Sequence, residues 1–450
     1  MTCAQAFDVR HELRRTVNTT TAIVLAAGAG TRMKSAKAKV LHEVAGRSML
    51  EHAITAVREA NMDRIVAVVG HDREQVTVAL SACASEALIA VQEQLNGTGD
   101  AVRCALDAEP SKADIYVITY ADVPLLSSET LKLLIAEHRE QNRTVTILTS
   151  RSADPTGYGR ILRNDQGAVT AIREHKDASE AELLIDEVNS GILVVTGDFL
   201  DAAVRGLSSD NAQNELYLTD IVAAAVEQGL AVGAHVLADR WQTEGVNDRR
   251  QLAAMARELN KRITTHWMTE GVTIIDPATT WIDVDVTIGR DTTIRPGTQL
   301  LGSTTIAENA EIGPDTTLRN VAVGSGASVI RTDATDVSIG ADATIGPFTY
   351  LRPGTELHAG AKAGAFVELK NSNVGEGAKV PHLSYMGDAD IGAGSNIGAG
   401  SITANYDGQT KHRTTVGESV RIGCDNVLIA PVEVGDGAYT GAGSILQIGR

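Results

Sequence analysis

The sequence has few aromatic residues and few cysteines. Aromatic residues make up 3% of the 450 residues, which suits a protein interior that is too narrow for rings. The four cysteines, Cys3, Cys83, Cys104 and Cys424, show no C-x-x-C spacing, so the sequence indicates neither a zinc knuckle nor a disulfide framework. Sparse, unpaired cysteines favour a reducing compartment, and we expect the cytoplasm.

Positive charge and long apolar runs are also lacking. The formal net charge of −17 argues against a nucleic-acid groove or a surface that binds anionic lipids. No apolar run approaches the ~18 residues of a membrane span, and the polar N-terminus does not look like a secretory signal. We therefore expect a cytoplasmic protein with no nucleic-acid partner and no membrane insertion.

A six-residue repeat fills the C-terminal part of the sequence. From about Ile282 an aliphatic residue returns at every sixth position, usually followed by glycine. The clearest run is Ile288, Ile294, Leu300, Ile306, Ile312 and Leu318, and the repeat resumes at Ile339 and at Val416. Hexads of this kind predict a parallel β-helix in which three hexads close one coil and coils stack at about 4.8 Å. The register slips near 369–380 and 386–391, and an insertion lies at 403–416.

The N-terminal part alternates short apolar runs with helical periodicity. Strands are predicted at 22–26, 65–69, 115–119, 145–148 and 191–195, with helices at 48–60 and 128–138 between them. This alternation favours a mainly parallel, doubly wound sheet. A charged helix is predicted over 248–268, with Asp248 as its N-cap. Residues 1–20 read as a disordered tail.

The first predicted strand leads directly into a loop of small residues. The loop reads Leu25-Ala26-Ala27-Gly28-Ala29-Gly30-Thr31-Arg32-Met33, and Lys39 follows. Such a loop lets backbone N–H groups approach a polyphosphate. It matches neither the dinucleotide fingerprint nor the P-loop. From spacing alone, a tight strand-to-helix turn stays an alternative.

With Lys39-Val40-Leu41-His42 behind it, this loop resembles the sugar-nucleotide pyrophosphorylases. With the hexads as well, the chain resembles the bacterial bifunctional family of N-acetylglucosamine-1-phosphate uridylyltransferase / glucosamine-1-phosphate acetyltransferase. The resemblance covers residue 22 to about 445. It implies a doubly wound α/β nucleotidyltransferase domain (21–247), a linker helix (248–270) and a left-handed parallel β-helix acetyltransferase domain (271–450).

The resemblance assigns a nucleotide and sugar site to the first domain. The residues implied to bind UTP and UDP-N-acetylglucosamine are Leu25, Ala26, Ala27, Gly28, Lys39, Gln92, Gly97, Thr98, Tyr120, Ala121, Gly159, Glu174, Asn189 and Asn247. Asp122 and Asn247 are implied to hold Mg²⁺, a hard cation that prefers oxygen ligands. Arg32 and Lys39 are implied to act in catalysis by neutralising the departing pyrophosphate.

The resemblance assigns a second site to the breaks in the repeat. His382 is implied to be the general base, a role that suits a side chain that ordinarily titrates near neutral pH. The sugar phosphate is assigned to Arg352, Lys370, Tyr385 and Asn396. Acetyl-CoA, a substrate here, is assigned to Ala399, Asn405, Tyr406, Lys411, Cys424 and Ala442.

The activity implied is synthesis of UDP-N-acetylglucosamine for peptidoglycan and other cell-envelope glycans. Acetyl transfer from acetyl-CoA to glucosamine 1-phosphate precedes uridylyl transfer from UTP, which releases pyrophosphate. The resemblance also implies a homotrimer. One alternative is a single-activity pyrophosphorylase whose β-helix serves only assembly. Another is a non-enzymatic regulatory subunit, against which the presence of Arg32, Lys39, Asp122 and Asn247 argues.

Overall fold

A computed structural model describes residues 19–447 of the chain. The predicted tail lies outside the described residues apart from Thr19 and Thr20, and Thr20 already begins the first strand. The chain divides into two compact units, whose described parts are 19–44 with 48–255 and 45–47 with 256–447. The division falls inside one long helix, and the domain boundaries given above stay a prediction.

The elements up to that helix alternate as in an α/β domain. The strands are β1 (Thr20–Leu25), β2 (Glu43–Val44), β3 (Arg47–Ser48), β4 (Arg64–Val69), β5 (Leu88–Val91), β6 (Ile115–Tyr120), β7 (Val145–Arg151), β8 (Arg160–Arg163), β9 (Val169–Arg173), β10 (Glu187–Thr196) and β11 (Val232–Leu237). The α-helices are α1 (Met49–Glu59), α2 (Arg73–Cys83), α3 (Thr98–Ala108), α4 (Ser128–Glu140), α5 (Glu180–Leu183), α6 (Gly197–Arg205), α7 (Asp220–Glu227) and α8 (Arg249–Thr269). Short 3₁₀ helices span Thr31–Met33, Lys39–Leu41 and Arg240–Thr243. Among residues 19–447, no helix is both long and apolar enough to cross a membrane.

The main sheet of the first unit has the order β11-β7-β10-β6-β1-β4-β5. Strand β10 is antiparallel to β6 and β7, whereas β1 pairs in parallel with both β4 and β6. The chain leaves β1 towards β4 and later returns to its other side with β6. The carboxyl ends of β1 and β6 therefore meet where the winding reverses, and this is where open α/β sheets bind ligands.

The strands of this sheet were predicted from their runs of apolar residues. All six residues of β1 are buried, and β4 and β6 are almost entirely so, as expected for strands covered on both faces. The prediction missed β5, whose side chains are half exposed and show no continuous buried run. It also missed the β8–β9 hairpin, which lies at the side of the main order.

The second unit consists of short strands throughout. They are β12 (Thr273–Ile274), β13 (Trp281–Ile282), β14 (Thr287–Ile288), β15 (Thr293–Ile294), β16 (Gln299–Leu301), β17 (Thr305–Ile306), β18 (Glu311–Ile312), β19 (Thr317–Arg319), β20 (Ala322–Val323), β21 (Ser328–Val329), β22 (Thr332–Thr335), β23 (Val337–Ile339), β24 (Thr344–Ile345), β25 (Thr349–Leu351), β26 (Thr355–Leu357), β27 (Lys362–Ala365), β28 (Glu368–Lys370), β29 (Asn373–Val374), β30 (Lys379–His382), β31 (Tyr385–Gly387), β32 (Ala389–Ile391), β33 (Asn396–Ile397), β34 (Ile402–Ala404), β35 (Thr414–Val416), β36 (Arg421–Ile422), β37 (Val427–Ile429), β38 (Val432–Val434) and β39 (Ile445–Leu446).

These strands form the predicted parallel β-helix. Each strand from β12 to β35 pairs in parallel with the strand three places later, so the strands form three sheets that are the faces of a prism. The aliphatic residue of each hexad points inward, and together these residues make one continuous core that includes Ile294, Leu300 and Ile312. Burying each such side chain contributes roughly 1.5–3 kcal/mol. The strands named here confirm the β-helix expected from the hexads.

Glycines after the aliphatic residues serve coil stacking. A Cβ added to Gly340 would lie 2.6 Å from the carbonyl carbon of His358 on the next coil, so only glycine fits there. Left-handed positions are occupied by other glycines, such as Gly302 with φ of 61°, and also by asparagine and aspartate. Asn320, Asp336, Asn371 and Asp388 adopt left-handed backbone angles with φ of 53°, 52°, 48° and 50°, a conformation that asparagine and aspartate tolerate better than other side chains.

Candidate active sites

A cleft of about 270 Å³ opens at the carboxyl ends of β1 and β6. Sequence-predicted residues that line it are Leu25, Ala26, Ala27, Gly28, Lys39, Gln92, Gly97, Thr98, Tyr120 and Asp122. Sequence reasoning did not single out Val40, Leu95, Ala101 and Glu215, which also line it. The loop after β1, the segment before α3 and the residues after β6 thus come together, as the topology requires.

Lys39, Asp122 and Asn247 form a charged cluster in this cleft. The Lys39 ammonium forms an ion pair with Asp122 and donates to Asn247 Oδ1 at 3.4 Å. The side chains of Lys39 and Asp122 are only 11% and 17% exposed. Gly30 makes this possible, because a Cβ there would lie 2.5 Å from Lys39 Cβ. A cation therefore already lies between the two oxygen donors that were predicted to hold a metal.

Asn247 is brought to Asp122 by the backbone. Val246 donates its N–H to the Asp122 carbonyl at 2.9 Å, and Gln251 accepts the Asn247 N–H at 2.7 Å. These bonds fix the segment before α8 against Asp122, two residues after the end of β6. Among residues 19–447 no group of three or more His, Cys, Asp or Glu side chains could hold a metal ion. One carboxylate and one amide oxygen suit Mg²⁺, which keeps several waters and binds substrate phosphates.

Gln92 is a buried amide whose orientation is fixed. Its Nε2 donates to Gly97 O and to Asp100 Oδ2, both at 3.0 Å. Asp100 is itself 3% exposed. Since both N–H groups are used, Oε1 is the atom left to contact a ligand. Gly97 is required here, because with φ of 104° a Cβ would lie 2.6 Å from Leu216 O.

Gly159, Glu174 and Asn189 converge beside the hairpin β8–β9. A Cβ on Gly159 would lie 3.5 Å from both Glu174 Oε1 and Asn189 Cβ, and Asn189 N donates to Gly159 O at 2.9 Å. Burial raises the pKa of Glu174, opposed by a hydrogen bond from Thr219 at 3.0 Å. The geometry thus gathers three predicted sugar contacts, with a carboxylate to accept hydroxyl hydrogens.

Two other predicted residues of this unit, Arg32 and Ala121, lie outside the groups of side chains described above. Arg32 is exposed and lies in the 3₁₀ turn Thr31–Met33 beside the cleft loop. Ala121 is completely buried, and its N–H donates to Leu25 O at 3.0 Å. Its visible role is to tie the end of β6 to the end of β1. The Tyr120 ring next to it lies over Gly191, where a Cβ would meet the ring at 2.5 Å.

In the β-helix, Lys370 and Asn405 meet at Asp388. Lys370 Nζ contacts Asp388 Oδ1 at 2.8 Å and Oδ2 at 2.9 Å. Asn371 Nδ2 donates to Oδ1 at 2.7 Å, and Asn405 Nδ2 donates to Oδ2 at 2.5 Å. We call these four residues the Asp388 cluster. Burial alone would raise the pKa of Asp388, but the three donors outweigh burial and lower it, so the carboxylate is ionised at neutral pH.

Arg352 and Tyr385 lie close to this cluster along one face. Arg352 precedes Lys370 by one coil, as its N–H donates to Leu369 O at 2.9 Å, and its guanidinium donates to Glu368 at 3.0 Å. A Cβ on Gly387 would collide with the Tyr385 hydroxyl and lie 2.8 Å from Asn405 Nδ2. Glycine at 387 therefore leaves room for the Tyr385 hydroxyl and the Asn405 amide to lie close together beside its backbone.

His382 ends β30 and is exposed. Within residues 19–447 its imidazole has no hydrogen-bond partner, while its carbonyl accepts from Ser384 at 2.7 Å. Asn396 is in β33, the next strand of the same sheet, where it pairs with Lys379. The ring of His382 is therefore open to a substrate.

Ala399, Cys424 and Ala442 stack on successive coils. Asp425 N donates to Ala399 O and Gly443 N donates to Cys424 O, both at 2.8 Å. The side chains in this column are small; Ala399 is half-buried, and Cys424 and Ala442 are exposed. Tyr406 and Lys411 lie on the insertion between β34 and β35, paired by an antiparallel bridge. Tyr406 is 60% exposed.

Comparison with known proteins agrees with both parts of the chain. Residues 22–188 match the family of MobA-like NTP transferase domains. Proteins named bifunctional protein GlmU are 55% identical in Corynebacterium efficiens, over 94% of this chain and 88% of that protein, and 54% identical in Paenarthrobacter aurescens, over 96% and 88%. The one from Mycolicibacterium vanbaalenii is 55% identical over 94% of this chain and 87% of its own length. The chain belongs to the bifunctional GlmU family.

For this member of the GlmU family, sequence reasoning left out Asp388, Asp100 and Thr219. Each holds a predicted residue through a hydrogen bond and lies beyond the predicted contacts themselves. A sequence signal existed for Asp388, because it precedes Ala389 in the segment where the hexads slip. Asp100 and Thr219 lie inside ordinary helix starts, where acidic and hydroxyl residues are expected anyway.

Proposed function

We propose that this GlmU-family chain makes UDP-N-acetylglucosamine in two steps at two sites. Acetyl-CoA acetylates the amine of glucosamine 1-phosphate, and UTP then uridylylates the resulting N-acetylglucosamine 1-phosphate with release of pyrophosphate. The observation that carries this proposal is family membership at 55% identity over 94% of the chain. A coupled assay with glucosamine 1-phosphate, acetyl-CoA and UTP tests it, and a chain that performs only the second step would favour the single-activity alternative.

Uridylyl transfer takes place in the cleft at β1 and β6. A phosphate oxygen of N-acetylglucosamine 1-phosphate attacks the α-phosphorus of UTP in line, and the bond to the β-phosphate oxygen breaks. No covalent intermediate on the protein is required. The small residues of the loop after β1 let the triphosphate approach the backbone, and Lys39 with Arg32 neutralises the leaving pyrophosphate. Catalysis is then positioning and charge stabilisation.

Asp122 and Asn247 are proposed to hold Mg²⁺. Support comes from the Lys39 ammonium, which already lies between their oxygens. When bound, the ion would neutralise charge on the phosphates. Lys39 would then turn from Asp122 to a phosphate oxygen.

The sugar would bind at Gly159, Glu174 and Asn189. Glycine at 159 leaves space next to Glu174 Oε1 and Asn189. A carboxylate accepts hydrogen bonds from sugar hydroxyls, and the buried amide of Asn189 can both donate and accept. Tyr120 ends β6, and Asp122, the proposed metal ligand, follows two residues later, so the sugar phosphate would be held near the α-phosphorus.

Gln92 is expected to select uracil. Its fixed Oε1 accepts a hydrogen bond, which the N3–H of uracil donates and the unprotonated N3 of cytosine does not. We expect Gln92→Ala to lower kcat/KM for UTP by roughly 10- to 100-fold, the cost of an unpaired buried group, and to narrow the preference for UTP over CTP. Steady-state kinetics with both nucleotides check this.

Gln94→Ala provides the control for Gln92, because Gln94 is an exposed glutamine two residues later. It should leave both constants within about twofold of the wild type. An unchanged ratio of UTP to CTP in the Gln92→Ala protein would contradict the proposed role in base recognition.

Acetyl transfer is proposed to take place on the β-helix. His382 removes a proton from the amine of glucosamine 1-phosphate, the amine attacks the thioester carbonyl, and CoA leaves as the thiol. Arg352 and Lys370 would bind the phosphate, and Tyr385 and Asn396 the sugar. Acetyl-CoA would lie along the column of Ala399, Cys424 and Ala442, with Asn405, Tyr406 and Lys411 as further contacts.

A homotrimer is proposed as the assembly. Phe348, Phe366 and Leu383 are 55%, 58% and 64% exposed and occupy corners of successive coils, and the two phenylalanine rings stack at 5.2 Å. An exposed apolar column of this kind favours contact with another chain. Sedimentation should give a mass of three chains, and a monomer with full acetyltransferase activity would contradict the assembly. The cytoplasmic location stays a prediction.

A further inference from the structure

Asp388 is buried at a corner of the β-helix, where it holds two residues of the proposed acetyltransferase site at once. It is 7% exposed. One of its oxygens contacts Lys370 and Asn371, and the other contacts Lys370 and Asn405. Lys370 was assigned to the sugar phosphate and Asn405 to acetyl-CoA. One carboxylate thus connects side chains that would face the two substrates.

The carboxylate determines how each of these side chains presents its remaining groups. Lys370 directs two contacts at Asp388, which leaves the third ammonium N–H for a phosphate oxygen. An ionised carboxylate only accepts hydrogen bonds, so the Asn405 amide must turn its NH₂ group towards Asp388. Its Oδ1 then points away from the carboxylate as an acceptor for a substrate N–H.

We propose that Asp388 is a positioning residue of acetyl transfer, which orients the Lys370 ammonium for the sugar phosphate and the Asn405 carbonyl for acetyl-CoA. This inference rests on the proposed acetyltransferase function. Asp388 itself touches no substrate and acts through Lys370 and Asn405.

The competing explanation is that Asp388 only stabilises the corner. Aspartate and asparagine recur at this corner in left-handed conformations, and Asp336 has φ of 52° against 50° for Asp388. The Asp336 carboxylate accepts from Asn320 Nδ2 at 3.0 Å. Arg319 occupies the position of Lys370, since its carbonyl accepts the Asp336 N–H at 3.0 Å, but within residues 19–447 its guanidinium forms no ion pair with Asp336. The pair Asp336→Asn and Asp388→Asn therefore separates a corner role from a positioning role, since asparagine fits the same backbone.

We expect Asp388→Asn to lower kcat/KM for acetylation of glucosamine 1-phosphate by about 10- to 100-fold, the range for hydrogen bonds to charged groups. The KM for glucosamine 1-phosphate should rise because Lys370 loses its fixed direction. Asp336→Asn should stay within about twofold of the wild type. Both variants should keep the melting temperature within a few degrees and the full uridylyl transfer rate.

A double-mutant cycle with Lys370→Ala gives the sharper test. If Asp388 acts through Lys370, the loss from Asp388→Asn should be at least about threefold smaller in the Lys370→Ala background than in the wild type. The inference would be overturned if Asp388→Asn lowered kcat/KM for acetylation equally in both backgrounds. It would also be overturned if the Asp388→Asn protein acetylated as well as the Asp336→Asn protein. A wild-type chain that acetylates nothing would instead overturn the proposed function, and the inference with it.

Discussion

Replacing Asp122 by asparagine or alanine is expected to lower uridylyl transfer by about 100- to 1,000-fold, the range for removing one preorganised electrostatic group. Asp122 contacts Lys39 in the cleft and lies beside Asn247. Without the carboxylate, Lys39 loses its anchor and the proposed metal loses its charged ligand. Pyrophosphate release from UTP and N-acetylglucosamine 1-phosphate, titrated with Mg²⁺, measures the loss.

The Asp122→Asn variant guards against a folding artefact, because asparagine has nearly the same size and can still accept from Lys39. Asp114→Ala is the matched control. Asp114 precedes the opposite end of the same strand, β6, where its carboxylate accepts the Thr19 N–H at 2.7 Å. The Asp114→Ala protein should melt at a slightly lower temperature and keep its uridylyl transfer activity. Near-normal uridylyl transfer by Asp122→Ala would refute the assignment of this cleft.

Replacing His382 by alanine is expected to lower acetyl transfer by about 100- to 10,000-fold, the usual contribution of a general base. His382 is exposed at the end of β30, and its ring is available to a substrate amine. Its removal leaves no cavity in the core, so the melting temperature should not change. Thiol release from acetyl-CoA with glucosamine 1-phosphate measures the effect, while uridylyl transfer should be unchanged.

His358 supplies the control for this experiment. It is also an exposed histidine of the β-helix, and its Nε2 contacts Asn373 Oδ1 at 2.7 Å. His358→Ala should acetylate at the wild-type rate. The role of His382 would be contradicted if the His382→Ala protein acetylated as fast as the His358→Ala protein. Separate sites would be contradicted if the His382→Ala protein lost acetyl transfer and uridylyl transfer together.

The hexad pattern predicted the second unit well, because one inward aliphatic residue per strand is a local property of the sequence. Ile294, Leu300 and Ile312 all point into the core as expected. The corners were harder to predict. Gly340 is needed for contact with the next coil, and left-handed corners are held by asparagine and aspartate residues such as Asn320 as well as by glycines. Contact between coils depends on residues distant in sequence.

In the two proposed sites, too, some residues could be predicted from the sequence and others could not. Motifs identified the residues that would touch substrates, such as Gln92 and Lys370. They did not identify Asp100 and Asp388, which fix the orientation of those residues. An orienting carboxylate can come from any element that happens to pack nearby, so its spacing carries no motif. Residues of this kind become visible only when hydrogen bonds can be followed in space.

The coupled reaction tests the central claim most directly. Wild-type protein supplied with glucosamine 1-phosphate, acetyl-CoA, UTP and Mg²⁺ should form UDP-N-acetylglucosamine, with N-acetylglucosamine 1-phosphate as the intermediate. Asp122→Asn should accumulate that intermediate, and His382→Ala should form the product only when the acetylated sugar phosphate is supplied. Wild-type protein that uses the acetylated sugar phosphate but never acetylates glucosamine 1-phosphate would contradict the claim of two active sites.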